Sequence, residues 1–145
     1  MAHRLTMVIG VHLILRRGDK TLLARRHNTG YADGFYNLPC GHLDPGESVK
    51  AGLCREVREE IGIDLSEEKL QFAGCTHWLS TKQSVNFFFE YTDQTPDPVN
   101  LEPDKCDDIS WFDLKNPPPN LVKQTALVIT AYAKNKAPFF IDAEE

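Results

Sequence analysis

Three glutamates, Glu56, Glu59 and Glu60, follow one another at helical spacing in the first half of the chain. Residues three and four apart are neighbours on a helix surface, so their carboxylates would share one side and repel one another. Arg55 and Arg58 lie among them, and a charge-paired helix exposed to solvent would explain the acids without any chemistry. The alternative is a hard divalent cation such as Mg²⁺, which prefers carboxylate, carbonyl and water oxygens.

The residues around the glutamates favour the metal. Residues 41–63 read Gly, five residues, Glu, seven residues, Arg-Glu, an aliphatic residue, any residue, Glu-Glu, any residue, Gly and a second aliphatic residue. This pattern resembles the complete sequence motif, or box, of the Nudix (MutT-like) hydrolases. A chance match anywhere in a chain of this length has a probability of about one in a million. The box covers only residues 41–63, and the rest of the chain has to be interpreted separately.

The resemblance implies a Mg²⁺-dependent enzyme, with Mn²⁺ able to replace Mg²⁺, that hydrolyses a nucleoside diphosphate linked to another group. Glu56 and Glu60 then correspond to the principal metal ligands, and Glu59 to a further ligand or a base. Arg55 corresponds to an arginine that orients these acids through charge-assisted hydrogen bonds, with Glu47 in the same network. The residues that would hold the metal are Gly41, through its main-chain carbonyl, and Glu56, Glu59 and Glu60.

A further acid, on a loop shortly before the last strand, acts as general base or extra metal ligand in many proteins of this family. Glu102 is our candidate for that role, because Pro103 follows it and would stiffen the loop. Asp107 or Asp108 could serve instead. All three could also be ordinary solvated loop acids.

Substrate recognition has to come from residues outside the box. Arg25 and Arg26 are candidate phosphate contacts, and Trp78 is a candidate for stacking on a base. Solvation of the arginines and core packing of the tryptophan are the alternatives. The chain has neither the proline after the box seen in ADP-ribose hydrolases nor the tyrosine seen in dinucleoside-polyphosphate hydrolases.

The resemblance therefore favours the branch that cleaves nucleoside and deoxynucleoside triphosphates to a monophosphate and pyrophosphate. Hydrolysis of ADP-ribose, a nucleotide sugar or an oxidised nucleotide is the first alternative. The second is a nucleotide-binding module without catalysis, but such modules usually lose one or more of the box glutamates, and none is missing here.

Composition agrees with a single enzyme domain over residues 1–145. The chain is 41% hydrophobic and 26% charged, and its formal net charge of −5 argues against binding duplex nucleic acid, which needs a basic face. The apolar run Met7–Leu15 is too short to span a membrane and predicts a strand. Four widely spaced cysteines without a Cys-x-x-Cys pair predict reduced thiols in the cytoplasm. The family resemblance also allows a homodimer.

The resemblance implies an α/β/α sandwich with a mixed, partly curled sheet, and the order of elements agrees with it. We expect the acidic tail at residues 138–145 to be mobile. The box helix should begin near Ser48 and end at Ile61, with Gly62 as its C-cap. Hydrophobic patterning predicts strands at Thr6–Leu15, Thr21–Arg25, Phe35–Pro39, Leu70–Cys75, Ser84–Tyr91 and Ile109–Phe112. It also predicts a second helix at Asn120–Lys134, with Leu121, Leu127, Val128 and Ala131 on its buried side.

Overall fold

A computed structural model describes residues 2–80 and 82–144. Three residues lie outside the described part of the chain: Met1, Thr81 and Glu145. Met1 and Glu145 are the first and last residues of the predicted domain, and Glu145 also ends its acidic tail. The elements are β1 (Val8–Arg17), β2 (Lys20–Arg26), β3 (Tyr36–Asn37), β4 (Cys40–His42), α1 (Val49–Ile61), a 3₁₀ turn (Glu67–Lys69), β5 (Gln71–Leu79), β6 (Ser84–Tyr91), β7 (Cys106–Asp113), α2 (Lys123–Ala133) and β8 (Phe139–Glu144).

The strands form one mixed sheet in the order β3-β2-β1-β6-β5-β8, with β4 paired to β1 and β7 paired to β2. The pairs β1/β6 and β5/β8 are parallel, and the others are antiparallel. Strand β1 pairs with β2 only at Arg16 and Arg17, whereas its first half pairs with β4. The sheet therefore divides along β1, which leaves an opening between β2 and β4.

Alternate residues of the central strands point into two cores, because side chains along a strand alternate between its faces. Leu13 and Leu22 pack with α1, whereas their neighbours Ile14 and Leu23 pack with α2. All four side chains are at most 1% exposed. This is the predicted α/β/α sandwich with a mixed sheet. No helix among residues 2–80 and 82–144 is long and apolar enough to cross a membrane.

Helix α1, which carries the box glutamates, has the predicted ends. The Ser48 hydroxyl accepts a hydrogen bond from the Ala51 amide at 3.3 Å, and Gly62 adopts the left-handed conformation with φ of 69°. Leu53, Val57 and Ile61 are at most 2% exposed and fix the helix on the sheet. The glutamates therefore lie on a helix whose ends and buried side are both determined.

Two expectations outside the box were wrong. Residues 139–144 form β8, which pairs in parallel with β5, because Phe139 and Ile141 pack against the α2 side of the sheet. The acidic residues that suggested mobility alternate with these apolar ones. Leu127 was expected on the buried side of α2 but is 40% exposed. The side of the helix that faces the sheet instead carries Thr125, Val128, Ile129 and Tyr132.

Candidate active site

A cleft of about 680 Å³ occupies the opening between β2, β4, the second half of α1 and the loop before β7. Its two walls carry opposite charges. We call Glu56, Glu59, Glu60 and Glu102 the acidic wall, with Asp44 as a further acid of the lining. We call Arg25, Arg26 and Lys105 the basic wall, although Lys105 shares the loop before β7 with Glu102. A cleft with these walls can hold a polyanion against the bases while a cation sits on the acids.

Arg55 contacts three glutamates of the box. Its guanidinium donates to both carboxylate oxygens of Glu47, at 2.6 and 2.9 Å, to Glu56 at 3.0 Å and to Glu59 at 3.3 Å. It also donates to the His42 carbonyl at 3.0 Å, which ties α1 to the end of β4. The arginine therefore holds the acids at fixed positions, which is the geometry that the resemblance implied.

The same contacts change two pKa values. Hydrogen bonding to Arg55 lowers the pKa of Glu47 to about 2, from an ordinary value of 4.5. The pKa of Arg55 is raised chiefly by its hydrogen bond to Glu47. Glu47 therefore contributes stability that is present above about pH 4.5 and is lost as the pH falls toward 2.

Gly41 lies against the carboxylate of Glu56. A Cβ atom at position 41 would lie 2.0 Å from Glu56 Cδ and 2.3 Å from its Oε2, far closer than real Cβ atoms approach other atoms. The absence of a side chain thus lets the Glu56 carboxylate lie directly beside the main chain of Gly41. The Glu56 carboxylate and the main-chain carbonyl of the adjacent Gly41 both offer oxygen atoms, which suit a hard cation.

Glu60 is the most deeply placed acid of the cleft. Burial raises its pKa to about 8, and the charges of Glu56 and Glu102 add to this rise, while a hydrogen bond from the Cys40 amide at 3.3 Å opposes it. No positively charged side chain among the described residues forms an ion pair with Glu60. A partly buried acid without a cationic partner is one that a metal ion would neutralise.

The residues of the acidic wall fit Mg²⁺ or a similar ion whose coordination is completed by water and substrate phosphates. Among residues 2–80 and 82–144, no three His, Cys, Asp or Glu side chains already converge into a metal cage. Mg²⁺ does not need such a cage, because it usually takes one or two carboxylates and completes its coordination with water and substrate phosphates. Glu56 and Glu60, with the Gly41 carbonyl, would hold it, and Glu59 lies at the exposed edge of the same wall.

We expect the metal-free protein to lose stability as the pH rises from about 4.5 to 8. Glu60 keeps its proton in the folded state up to a pKa of about 8, whereas the unfolded chain releases it near 4.5. The folded state therefore binds more protons in this window, and the free energy of unfolding falls with pH. Because Mg²⁺ binds the ionised acid, the rise in Tm on adding Mg²⁺ should be larger at about pH 8.5 than at about pH 5.5.

Differential scanning fluorimetry at both pH values, with and without MgCl₂, measures this effect. The variant Glu60→Gln serves as the control, since it has no charge to titrate at this position. An equal Tm rise at the two pH values in the unsubstituted protein would contradict the prediction.

The basic wall contains one cation that is free and two that are engaged. Arg25 donates to Asp107 at 2.7 Å and lies over the ring of Tyr36, whereas Arg26 donates to the Tyr31 carbonyl at 2.7 Å. Lys105 has no ion-pair partner among the described residues. The sequence interpretation missed Lys105, although its spacing of three residues from Glu102 was a signal that one turn could present both side chains.

The loop before β7 is a tight turn that presents Glu102 to the cleft. The amides of Lys105 and Cys106 both donate to the Glu102 carbonyl at 2.9 Å, and the Glu102 amide donates to Asn100 at 3.0 Å. The other two candidate acids lie outside the lining of the cleft and are engaged elsewhere. Asp107 pairs with Arg25, and Asp108 accepts a hydrogen bond from the Tyr36 hydroxyl at 2.5 Å. The geometry therefore favours Glu102 among the three.

The structure does not bring Trp78 to the cleft. This residue is 6% exposed and lies near the end of β5, where it pairs with Ser84 of β6 and Ala143 of β8. It is not among the cleft's lining residues. The expectation of a stacking contact is thus replaced by the alternative of core packing, because the alternation of β5 directs position 78 toward the α2 side, as it does Thr76.

Comparisons with known proteins agree with this geometry. Residues 6–132 match the model of the NUDIX domain. The chain is 32% identical over 108 residues to the NAD-capped RNA hydrolase NudC of Pseudomonas entomophila (strain L48), which covers 74% of this chain and 37% of NudC. The chain thus spans a little over a third of the length of this curated relative.

Two solved structures share the fold. The MutT NUDIX hydrolase from Burkholderia pseudomallei superposes with a TM-score of 0.79 at 24% identity, over 86% of this chain and 97% of that one. A bifunctional NMN adenylyltransferase/ADP ribose pyrophosphatase from Francisella tularensis, complexed with AMP and a manganese ion, superposes with a TM-score of 0.76 at 17% identity, over 92% of this chain and 43% of that one. These likenesses show the fold, and the domain match over residues 6–132 shows that the chain belongs to the Nudix hydrolase family.

Proposed function

We propose that this chain hydrolyses the pyrophosphate bond of a nucleoside diphosphate linked to another group, with Mg²⁺ as its cofactor and Mn²⁺ able to replace it. The observation that carries the proposal is the cleft with one acidic and one basic wall, in which Glu60 is deeply placed without a cationic partner. The Francisella tularensis structure, part of which shares this fold, contains a manganese ion, and this agrees with a divalent cation as cofactor.

When bound, the cation supplies charge neutralisation at the phosphates and activation of water. Glu56 and Glu60 would hold it, and Arg55 keeps Glu56 in place through the 3.0 Å hydrogen bond. Glu102 and Glu59 are the candidates to accept the proton of the attacking water, since both carboxylates line the cleft. Arg25, Arg26 and Lys105, which line the same cleft, would hold the phosphates.

Two substrate classes remain as candidates within this reaction. The sequence favours a nucleoside triphosphate, or its deoxy form, cleaved to monophosphate and pyrophosphate, but the names of the curated relatives do not support this substrate. Their name, NAD-capped RNA hydrolase, favours a dinucleotide such as NAD, whose two nucleosides are joined by a pyrophosphate. We therefore place the NAD-type dinucleotide beside the nucleoside triphosphate, and ADP-ribose and nucleotide sugars after both.

A substrate panel with Mg²⁺ separates these classes by their products. Nucleoside triphosphates should release pyrophosphate and a monophosphate, NAD should release two mononucleotides, and ADP-ribose should release AMP and ribose phosphate. The Glu60→Gln variant is the control for contaminating activity. If no diphosphate is cleaved above that control while nucleotides bind in calorimetry, the chain is a binding module and the proposal is wrong.

We expect Lys105→Gln to raise KM about tenfold with a smaller effect on kcat, because the ammonium would bind phosphate similarly in the ground state and the transition state. Lys115→Gln, which removes the same charge at an exposed position outside the cleft, is the matched control. Steady-state kinetics on the best substrate of the panel measure both constants. Equal KM values for the two variants would contradict a phosphate contact at Lys105.

The four cysteines are all free. This agrees with a reducing compartment, and we include a cytoplasmic location in the proposal. The substrate is a small diphosphate or the end of a larger molecule that carries one. The net charge of −5 still argues against duplex nucleic acid as a partner.

A further inference from the structure

One face of the sheet is only partly covered by its helix. Helix α1 packs over β1 and one side of β6, but it does not extend over β5 and β8. On these strands the side chains facing the α1 side include Phe72, which is 49% exposed, and Phe140, which is 69% exposed. Phe87 of β6 lies on the same face, with Cys75 of β5 between it and Phe140, and it is only partly buried. Exposed aromatic residues that share one sheet face commonly mark an interaction surface.

A groove of about 400 Å³ crosses this face next to the first turn of α1. Its floor is aromatic, since the rings of Phe72 and Phe89 meet edge to face at 5.7 Å. The ammonium of Lys50 lies 6.0 Å from the ring of Phe89, at one end of the groove. The remaining lining residues are Ser48, Val49, Glu67 and Phe87.

The same face also carries a side chain that could fill such a groove. Phe140 projects from β8, the last strand in the order of the sheet, and it is the most exposed of the large apolar side chains in the described chain. Asp142 and Glu144 follow it on the same face, because residues two apart in a strand point the same way. An aromatic side chain and two acids therefore lie beside an aromatic groove with a lysine at its end.

We propose that this face is a self-association surface that binds a second copy of the chain about a two-fold axis. In such a dimer each Phe140 enters the aromatic groove of the other copy, and the acidic end of β8 meets the partner groove's lysine. A two-fold interface requires that one patch carry both complementary parts, and this face does. The charge complementarity comes from Lys50, the one lysine lining the groove, and Glu144 of the other copy. Asp142 is already paired with His77 at 3.0 Å, and Glu67 is an acid in the groove lining itself.

The proposed dimer would act on the helix that carries the catalytic acids. Ser48, Val49 and Lys50 at the start of α1 form one wall of the groove, so an occupied groove would pack against the first turn of that helix. The cleft itself lies at the other end of α1, on its second half. The association can thus be tested without reference to the reaction, and its failure would leave the proposed function unaffected.

Sedimentation equilibrium of the full chain at roughly 1 and 100 µM tests the proposal. We expect a dimer at the higher concentration, and a dissociation constant raised at least about tenfold by Phe140→Asp and by Phe72→Asp. Both side chains are too exposed for the substitutions to unfold the protein, and circular dichroism checks this. Leu127→Asp, which places the same charge at a 40% exposed leucine of α2, is the matched control and should leave the dimer intact.

A charge exchange tests the orientation. Lys50→Glu and Glu144→Lys should each weaken the dimer, and the two substitutions together should restore much of the lost affinity. A chain that is monomeric at both concentrations, or a dimer that survives Phe140→Asp and Phe72→Asp unchanged, would overturn the proposal. A dimer lost equally in the Leu127→Asp control would also overturn it, because that leucine lies on the opposite side of the sheet.

Discussion

Glu60→Gln is expected to lower kcat by about 10³-fold or more at saturating Mg²⁺. The substitution keeps the size and the hydrogen-bonding oxygen of the side chain, so the amide can still accept the bond from Cys40. It removes the charge that would hold the cation at the deepest point of the cleft. Binding of the nucleotide should change far less, because the basic wall is unaltered.

The same variant should not be destabilised in the absence of metal. Burial and the neighbouring acids raise the pKa of Glu60 to about 8, so the neutral glutamine resembles the protonated acid that the metal-free protein holds at pH 7. Kinetics with the best substrate and thermal unfolding without metal measure the two effects. Glu68→Gln, on the exposed 3₁₀ turn, is the matched control, and full activity of Glu60→Gln at saturating Mg²⁺ would refute the metal assignment.

Much of the acidic wall was predictable because it depends on one continuous segment. The spacing of Glu56, Glu59 and Glu60 fixes their common side once the segment is a helix, and Gly62 fixes where the helix ends. The contacts of Arg55 follow from the same spacing, since Glu59 is one helical turn away. Local geometry was sufficient for these predictions.

The basic wall and the fate of Trp78 depend on strand pairing, which the sequence does not determine locally. Arg25 lines the cleft, but its Nε donates a hydrogen bond to Asp107. This contact arises because β2 pairs with β7 and places Arg25 opposite Asp108, the residue next to Asp107. Trp78 faces away because the strand's alternation places it with Thr76 on the α2 side. In both cases the sequence correctly predicted a strand, but it did not identify the neighbouring residues that decide what the side chain contacts.

The prediction that the acidic tail is mobile was wrong for a related reason. Composition over residues 138–145 suggested a solvated segment, but every second residue from Phe139 is buried or partly buried, and β5 supplies the missing edge. A strand of six residues is stable only when a neighbouring strand pairs with it. The local sequence indicates that residues 139–144 can form a strand, but only the tertiary structure identifies β5 as the strand with which they pair.

Gly41→Ala is expected to lower kcat by about 10²-fold while changing the free energy of unfolding little. The new Cβ would lie 2.0 Å from Glu56 Cδ, so the carboxylate must move away. The atoms displaced are those of the Glu56 side chain from Cγ outward and no backbone atom is among the nearest contacts, so the fold should be affected little. The position of the carboxylate relative to the main chain of residue 41 is lost, and a shift of about 1 Å at a catalytic site can cost 10²-fold in rate.

A double-mutant cycle with Glu56→Ala separates this cause from general damage to the turn. If the alanine acts by displacing the Glu56 carboxylate, Gly41→Ala should have almost no further effect on kcat once that carboxylate is absent. Kinetics of the four proteins at several Mg²⁺ concentrations, with thermal unfolding of each, provide the cycle. Additive losses would show that the turn has a separate role, whereas wild-type activity of Gly41→Ala would show that the contact between Gly41 and Glu56 is not part of the metal site.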